Sequence, residues 1–122
     1  RFAMNVNVDT PFLAADYVLS RLEERMKIVL VDMHAEATSE RVAMGYYLDG
    51  RASAVWGTHT HVQTSDARVL PHGTGCISDL GMTGPVDSIL GTEKEAILRR
   101  FLTAMPQRFT VAGRDPRRGR SL

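Results

Sequence analysis

Apolar residues recur every three or four positions from Phe12 through Ala15, Leu19 and Leu22 to Met26, while Arg21, Glu23, Glu24 and Arg25 fall mainly on the other side. That spacing predicts an amphipathic helix over residues 11–26, laid on a sheet. Thr10 is placed to cap it, and Pro11 takes the first helical position, where a missing N–H costs nothing. Residues 28–31 form a continuous β-branched-rich apolar run, as expected of a central parallel strand covered on both faces. Thr38 or Ser39 can cap a second helix with Glu40 in its first turn. Val42, Ala43, Tyr46 and Tyr47 supply its apolar surface, small Ala43 and Gly45 let it lie close to the sheet, and Asp49-Gly50 supplies the stop. Residues 54–56 make a short second strand ending at Gly57. Strand, helix and strand together form a βαβ unit with parallel strands.

Beyond that unit the pattern weakens. Residues 68–70 suggest a brief strand, Pro71-His72-Gly73 a turn, and 74–78 a third core strand leading into a glycine-rich loop over 79–85. Thr92 and Glu95 form a capping box for a helix whose buried stripe is Ile97, Leu98, Phe101, Leu102 and Met105. Pro106 ends that helix, and residues 108–112 look like a final strand. Residues 1–9 show no period and suggest a loop or frayed strand. The basic tail 114–122 suggests a solvated, disordered end, with contact to phosphate as the alternative.

Composition narrows the class without naming a chemistry. At 122 residues, 43% hydrophobic and 24% charged, the chain is ordinary for a globular domain but short for a complete doubly wound enzyme. A formal net charge of +1 gives no special attraction to nucleic acid or membrane. No run approaches the roughly 18 apolar residues that span a bilayer. The only cysteine, Cys76, excludes an internal disulfide, so a cytoplasmic location is expected. The sequence opens on Arg1, a first sign that it starts inside a longer protein.

The candidate chemistry lies in the histidines. His34 follows the first predicted strand, and His59 and His61 follow the second. In a parallel βαβ unit both loops leave the same carboxyl edge, where open α/β sheets hold their ligands. In an extended segment residues two apart point the same way, so His59 and His61 can face one pocket, with Gly57 turning the backbone before them. Three imidazoles so placed are most simply metal ligands, suited to zinc, iron or manganese. Asp32, Glu36, Thr58 and Thr60 are candidates to orient the rings. His72 belongs to a turn. Asp79 either caps the turn before Gly81 or fixes a loop of the crevice. Asp66 and Asp87 carry no assigned role, Ser39, Ser65 and Cys76 have no argument as nucleophiles, and no phosphate-loop pattern is present.

Three blocks, VDMHAEATSER, GTHTHVQTSD and SDLGMTGPVDSILG, together resemble the signatures of the YmdB-like bacterial metallophosphoesterases. The resemblance runs from before Pro11 to about Ala112. It implies an α/β fold, part of a calcineurin-like αββα sandwich with a mostly parallel sheet and βαβ crossover helices. It implies two divalent metal ions, iron or manganese with zinc as an alternative, His34 and His59 binding one and His61 the other. The reaction implied is hydrolysis of 2′,3′-cyclic nucleotides or related phosphodiesters by a metal-bridged hydroxide. RNA ends are a further substrate class, no membrane partner is expected, and a homo-oligomer is compatible with the sequence.

The family's first half supplies an Asp ligand, a bridging Glu, an Asn ligand and a His proposed as general acid, and no such blocks stand here. Residues 1–113 are therefore expected to be the carboxyl-terminal part of a single domain, inactive or nearly so alone. Three neutral imidazoles would not offset the repulsion between two dications. Two other readings stand beside this one. One is a mononuclear three-histidine hydrolase with Glu36 as general base; the other is a non-catalytic binding module of the same fold.

Overall fold

The structure, a computed structural model, describes residues 9–22 and 25–113. The loop expected over residues 1–8 and the basic tail 114–122 lie outside the described residues. Two compact units divide the chain, Arg1–Gly81 and Met82–Leu122. The first contains α1 (Pro11–Leu19), β1 (Leu30–His34), α2 (Thr38–Tyr47), β2 (Ala54–Thr58), β3 (Arg68–Val69) and β4 (Gly75–Ile77). The second contains α3 (Lys94–Thr103). The sheet runs β1-β2-β4-β3, with β1, β2 and β4 parallel and β3 antiparallel to β4. The βαβ unit is the one the hydrophobic pattern predicts, and the mostly parallel α/β sheet is the one the family resemblance implies.

The strand before His34 starts later than expected and stands at one side of the sheet. Along β1, Val31 and Met33 turn inward while Leu30, Asp32 and His34 are exposed. The run is thus a half-covered strand, not one buried on both faces, and Leu30 is 59% exposed. Met33, Ala35, Met44, Leu48, Ala52 and Val55 form the core, with Phe12, Ala15, Leu19, Val29 and Val31 packed against it.

α1 ends seven residues before the predicted boundary. The Arg21 N–H bonds the Val18 carbonyl (3.0 Å) and the Leu22 N–H bonds that of Leu19 (3.2 Å), three-residue bonds that tighten and close the helix. The Ser20 hydroxyl also donates to the Tyr17 carbonyl (2.9 Å). Leu22 and Met26 therefore lie beyond the helix, and both are exposed. Leu22, Met26, Ile28 and Leu30 line an apolar groove of about 540 Å³ shared with α1 and β1.

α2 buries a different face from the one its apolar residues suggest. Arg41, Met44 and Gly45 are buried within it, with Leu48 just beyond, whereas Ala43, Tyr46 and Tyr47 are exposed. Positions 41, 44, 45 and 48 keep the helical spacing, but the charge of Arg41 conceals it. Thr38 does not cap the helix: Ala37 holds that position, and the Thr38 hydroxyl accepts a bond from Arg41 Nη2 (3.0 Å). A methyl group on Gly45 would sit 2.5 Å from Cys76 Sγ, so glycine sets how near the helix lies to β4. Gly50, at φ +81°, supplies the expected left-handed stop.

In the second unit, α3 begins at Lys94, two residues after the predicted cap. Thr92 exchanges backbone bonds with Ile89 (2.9 and 3.0 Å), and the Glu93 N–H bonds the Thr110 carbonyl (3.1 Å). Those bonds hold Thr92 in a bridge, so the capping box does not form. The expected buried stripe is open among the described residues: Phe101 is 77% and Leu102 85% exposed. The helix stops at Ala104 in the left-handed region, ahead of Pro106. The final strand reduces to one bridge between Thr92 and Val111.

Candidate functional site

β1 and β2 end level with each other. His34 is the register partner of Thr58, the last residue of β2, so the loops after both strands leave the same sheet edge. His59 follows Thr58 directly, and its ring centroid lies 5.4 Å from that of His34, with the planes at 73°. Two imidazoles from neighbouring strand tips thus meet edge to face.

Hydrogen bonding determines which nitrogen of His34 is free. The Thr58 hydroxyl donates to Asp32 Oδ1 (2.8 Å). Its single proton is then spent, so its bond to His34 Nδ1 (3.0 Å) requires that Nδ1 carry the hydrogen. In the neutral ring this places the lone pair on Nε2, the tautomer a metal ligand or a base needs. Two residues expected to orient the rings, Asp32 and Thr58, therefore do so for His34. Glu36 is exposed.

The His59–His61 segment is not extended. Residues 59–62 form a bend, and His61 sits at φ +65°. Thr60 shapes the bend: its hydroxyl donates to the Val62 carbonyl (3.0 Å) and accepts from the Val62 N–H (3.3 Å). The rule that alternate residues share a face stops applying at Thr58. Gly57 does not provide the turn either. It lies inside β2, where a side-chain carbon would fall 1.9 Å from the Ser78 carbonyl oxygen and 2.5 Å from Arg41 Cδ. Glycine is needed there for close approach.

Beneath the bend lies a buried ion pair that sequence reasoning half missed. Asp79 and Arg41 are buried and bonded through Oδ2 and Nη1. Asp79 Oδ2 also accepts the Thr60 N–H (2.8 Å), and Oδ1 accepts the Gly81 N–H (2.8 Å). Both roles foreseen for Asp79 are therefore filled at once. Burial pushes its carboxyl up, but the Thr60 and Gly81 N–H groups and the Arg41 charge outweigh that and lower it to about 2. The signal for Arg41 was its place on the helical face of Met44 and Leu48. Asp66 braces the same edge by accepting the hydroxyls of Ser78 and Thr64 and the Ser78 N–H, and those bonds also lower it to about 2. His72 lies in its predicted turn, its Nδ1 3.0 Å from Asp49 Oδ2.

His34 and His59 bring two imidazoles together at adjacent strand tips, a donor type that divalent transition metals accept. Among the described residues, no group of three or more His, Cys, Asp or Glu side chains is arranged to hold a metal. The described residues thus bring together a pair of imidazoles, not a closed set of donors.

A mostly parallel α/β sheet with histidines at its carboxyl edge defines the class, and comparison with known proteins defines the family. The model of the family described as YmdB-like protein matches residues 1–118, and the chain belongs to that family. It is 58% identical over 105 residues to the 2′,3′-cyclic-nucleotide 2′-phosphodiesterase of Bacillus subtilis (strain 168), covering 86% of this chain and 40% of that protein. The crystal structure of a hypothetical protein from Thermus thermophilus superposes with a TM-score of 0.77 at 54% identity, over 92% of this chain and 43% of that one. A crystal structure described as a novel phosphatase from Mycoplasma pneumoniae gives 0.72 at 33% identity, over 89% and 38%. These likenesses bear out the α/β fold class expected of a part of the calcineurin-like sandwich. The chain spans less than half the length of each of these relatives.

Proposed function

We propose that this chain contributes one side of the active site of a metal-dependent phosphodiesterase acting on 2′,3′-cyclic nucleotides or related small phosphodiesters. The observation that carries the reading is the His34–His59 pair, 5.4 Å apart at the ends of adjacent parallel strands. The name of the Bacillus relative supports the cyclic substrate and the hydrolytic reaction. RNA ends belong to the same phosphodiester chemistry.

His34 and His59 would hold one divalent ion and His61 a second, with iron or manganese preferred by the resemblance and zinc acceptable to imidazole nitrogen. Such ions supply Lewis-acid activation of water and of the phosphoryl oxygens. The protein's own part is positional. Thr58 and Asp32 orient the His34 ring, and the Thr60 bend sets the direction of His59 and His61.

Two imidazoles leave an ion short of ligands and of negative charge. The chain alone is therefore inactive, and the remaining ligands come from the rest of a family-length protein. The apolar groove beside β1 and the exposure of Ile28 and Leu30 support a further layer there. The described residues include no helix long and apolar enough to cross a membrane; a cytoplasmic location is part of the proposal.

Hydrolysis of 2′,3′-cyclic AMP with added Mn²⁺, by the family-length protein and its His59→Ala variant, tests the reading. The proposal requires the variant to lose turnover while keeping its circular dichroism. Turnover in the variant equal to that of the unaltered protein contradicts it.

A further inference from the structure

Three loops meet at the carboxyl edge of the sheet, and one ion pair touches all of them. Arg41 Nη2 donates to Thr38, at the start of the helix that follows the His34 loop. Arg41 Nη1 bonds Asp79 Oδ2, which also receives the Thr60 N–H between His59 and His61. Asp79 Oδ1 receives the Gly81 N–H of the loop after β4. Both side chains are shielded from water, Asp79 fully and Arg41 at 3% exposure. A buried carboxylate whose oxygens are shared among backbone N–H groups and a guanidinium has one low-energy position. The peptide at Thr60 therefore inherits that position, and with it the two histidines on either side.

We propose that Asp79, held by Arg41, is a positioning residue that fixes the His59–Thr60–His61 bend against the His34 strand tip. The pair reaches the reacting groups only through Thr60 and touches neither substrate nor ion. Asn at position 79 keeps the shape but gives up the charge, which weakens the bond to Arg41, and one of its two oxygens, which leaves one of the two N–H groups without its acceptor. The bend loosens while the sheet, whose core is Met33, Ala35, Met44, Leu48, Ala52 and Val55 and does not include the pair, stays folded. The inference rests on the proposed role of His59 and His61, but its test reads the bend itself.

The test is amide exchange and histidine ring NMR on the family-length protein freed of metal by chelation, comparing Asp79→Asn with Asp66→Asn. Asp66 braces Ser78 and Thr64 without a bond to residues 59–61, so its variant reports general loss of order at this edge. The expected result is exchange at Thr60 and Gly81 at least tenfold faster in Asp79→Asn, with displaced His59 and His61 ring signals and unchanged exchange at Val55. Asp66→Asn leaves those ring signals in place. A folded Asp79→Asn protein with unaltered Thr60 exchange and ring signals overturns the proposal, as do equal changes in the two variants. Should Asp79→Asn not fold, Arg41→Lys decides: faster exchange at the same two amides supports the anchor, and unaltered exchange overturns it. A separate Mn²⁺ titration of the same samples keeps the two claims apart. Absence of binding by the unaltered protein removes the metal reading and leaves the exchange result standing.

Discussion

His34 and Thr58 face each other across two parallel strands, 3.0 Å between Nδ1 and Oγ1, and the hydroxyl's second bond to Asp32 fixes the direction of the first. A side-chain relay between register partners thus presets the imidazole before any ligand arrives. Thr58→Val keeps the shape and removes the relay. It is expected to lower divalent-ion affinity about 10–100-fold, as loss of an orienting partner does, while Thr58→Ser retains it. Calorimetric titration of Mn²⁺ into the family-length protein measures both.

Gly57 separates close approach from turning. Gly57→Ala places a carbon against the Ser78 carbonyl and Arg41 Cδ, and neither backbone nor buried pair can yield cheaply. A loss of about 3 kcal/mol or more is expected from such overpacking. Gly75→Ala, whose new carbon would meet nothing nearer than 3.7 Å, is expected to be tolerated. Urea denaturation of the two variants gives the comparison.

Acid should weaken this edge of the sheet through Asp66. Its carboxyl lies at about 2 in the folded chain because the Ser78 and Thr64 hydroxyls favour its charged form, against an ordinary value of 3.8. The folded pKa is the lower one, so the stabilisation is complete above the ordinary value and is lost as pH falls from about 4 toward 2. Urea midpoints should drop more steeply across that window in the unaltered protein than in Asp66→Asn. Parallel curves would contradict the assignment.

The two apolar stripes should respond unequally to truncation. Leu48 is fully buried, and Leu48→Ala is expected to cost about 2–5 kcal/mol. Leu102 is 85% exposed, and Leu102→Ala should stay within about 0.5 kcal/mol. Thermal melts of both variants test whether the α3 stripe is open as described.

These contrasts mark what the sequence made legible. The βαβ unit and the shared edge of His34 and His59 follow from the apolar strand runs, which survive because β1 and β2 are regular; Asp32 and Thr58 were legible only as polar neighbours of the histidines, alongside Glu36 and Thr60. The buried face of α2 was hidden because one of its members is Arg41, and a charge looks like a solvent-facing residue until its partner 38 positions away is in view. The bend at 59–62 was misjudged for a related reason. A backbone N–H captured by a distant carboxylate leaves no mark on local pattern, so Thr60 looked extended and Gly57 looked like a hinge. The stripe on α3 has the spacing of a buried face, but spacing cannot say whether a partner surface is present.

The central claim is that His34 and His59 serve one ion and His61 another. Bound metal per chain, counted on family-length protein loaded with Mn²⁺, tests it across His34→Ala, His59→Ala, their double variant, and His61→Ala joined to either of the first two. The account predicts that either of the first two loses one equivalent, that the double variant loses no more than that one, and that His61→Ala joined to either loses both. Full metal content in His34→Ala and His59→Ala, or a second equivalent lost only when the two are combined, would contradict it.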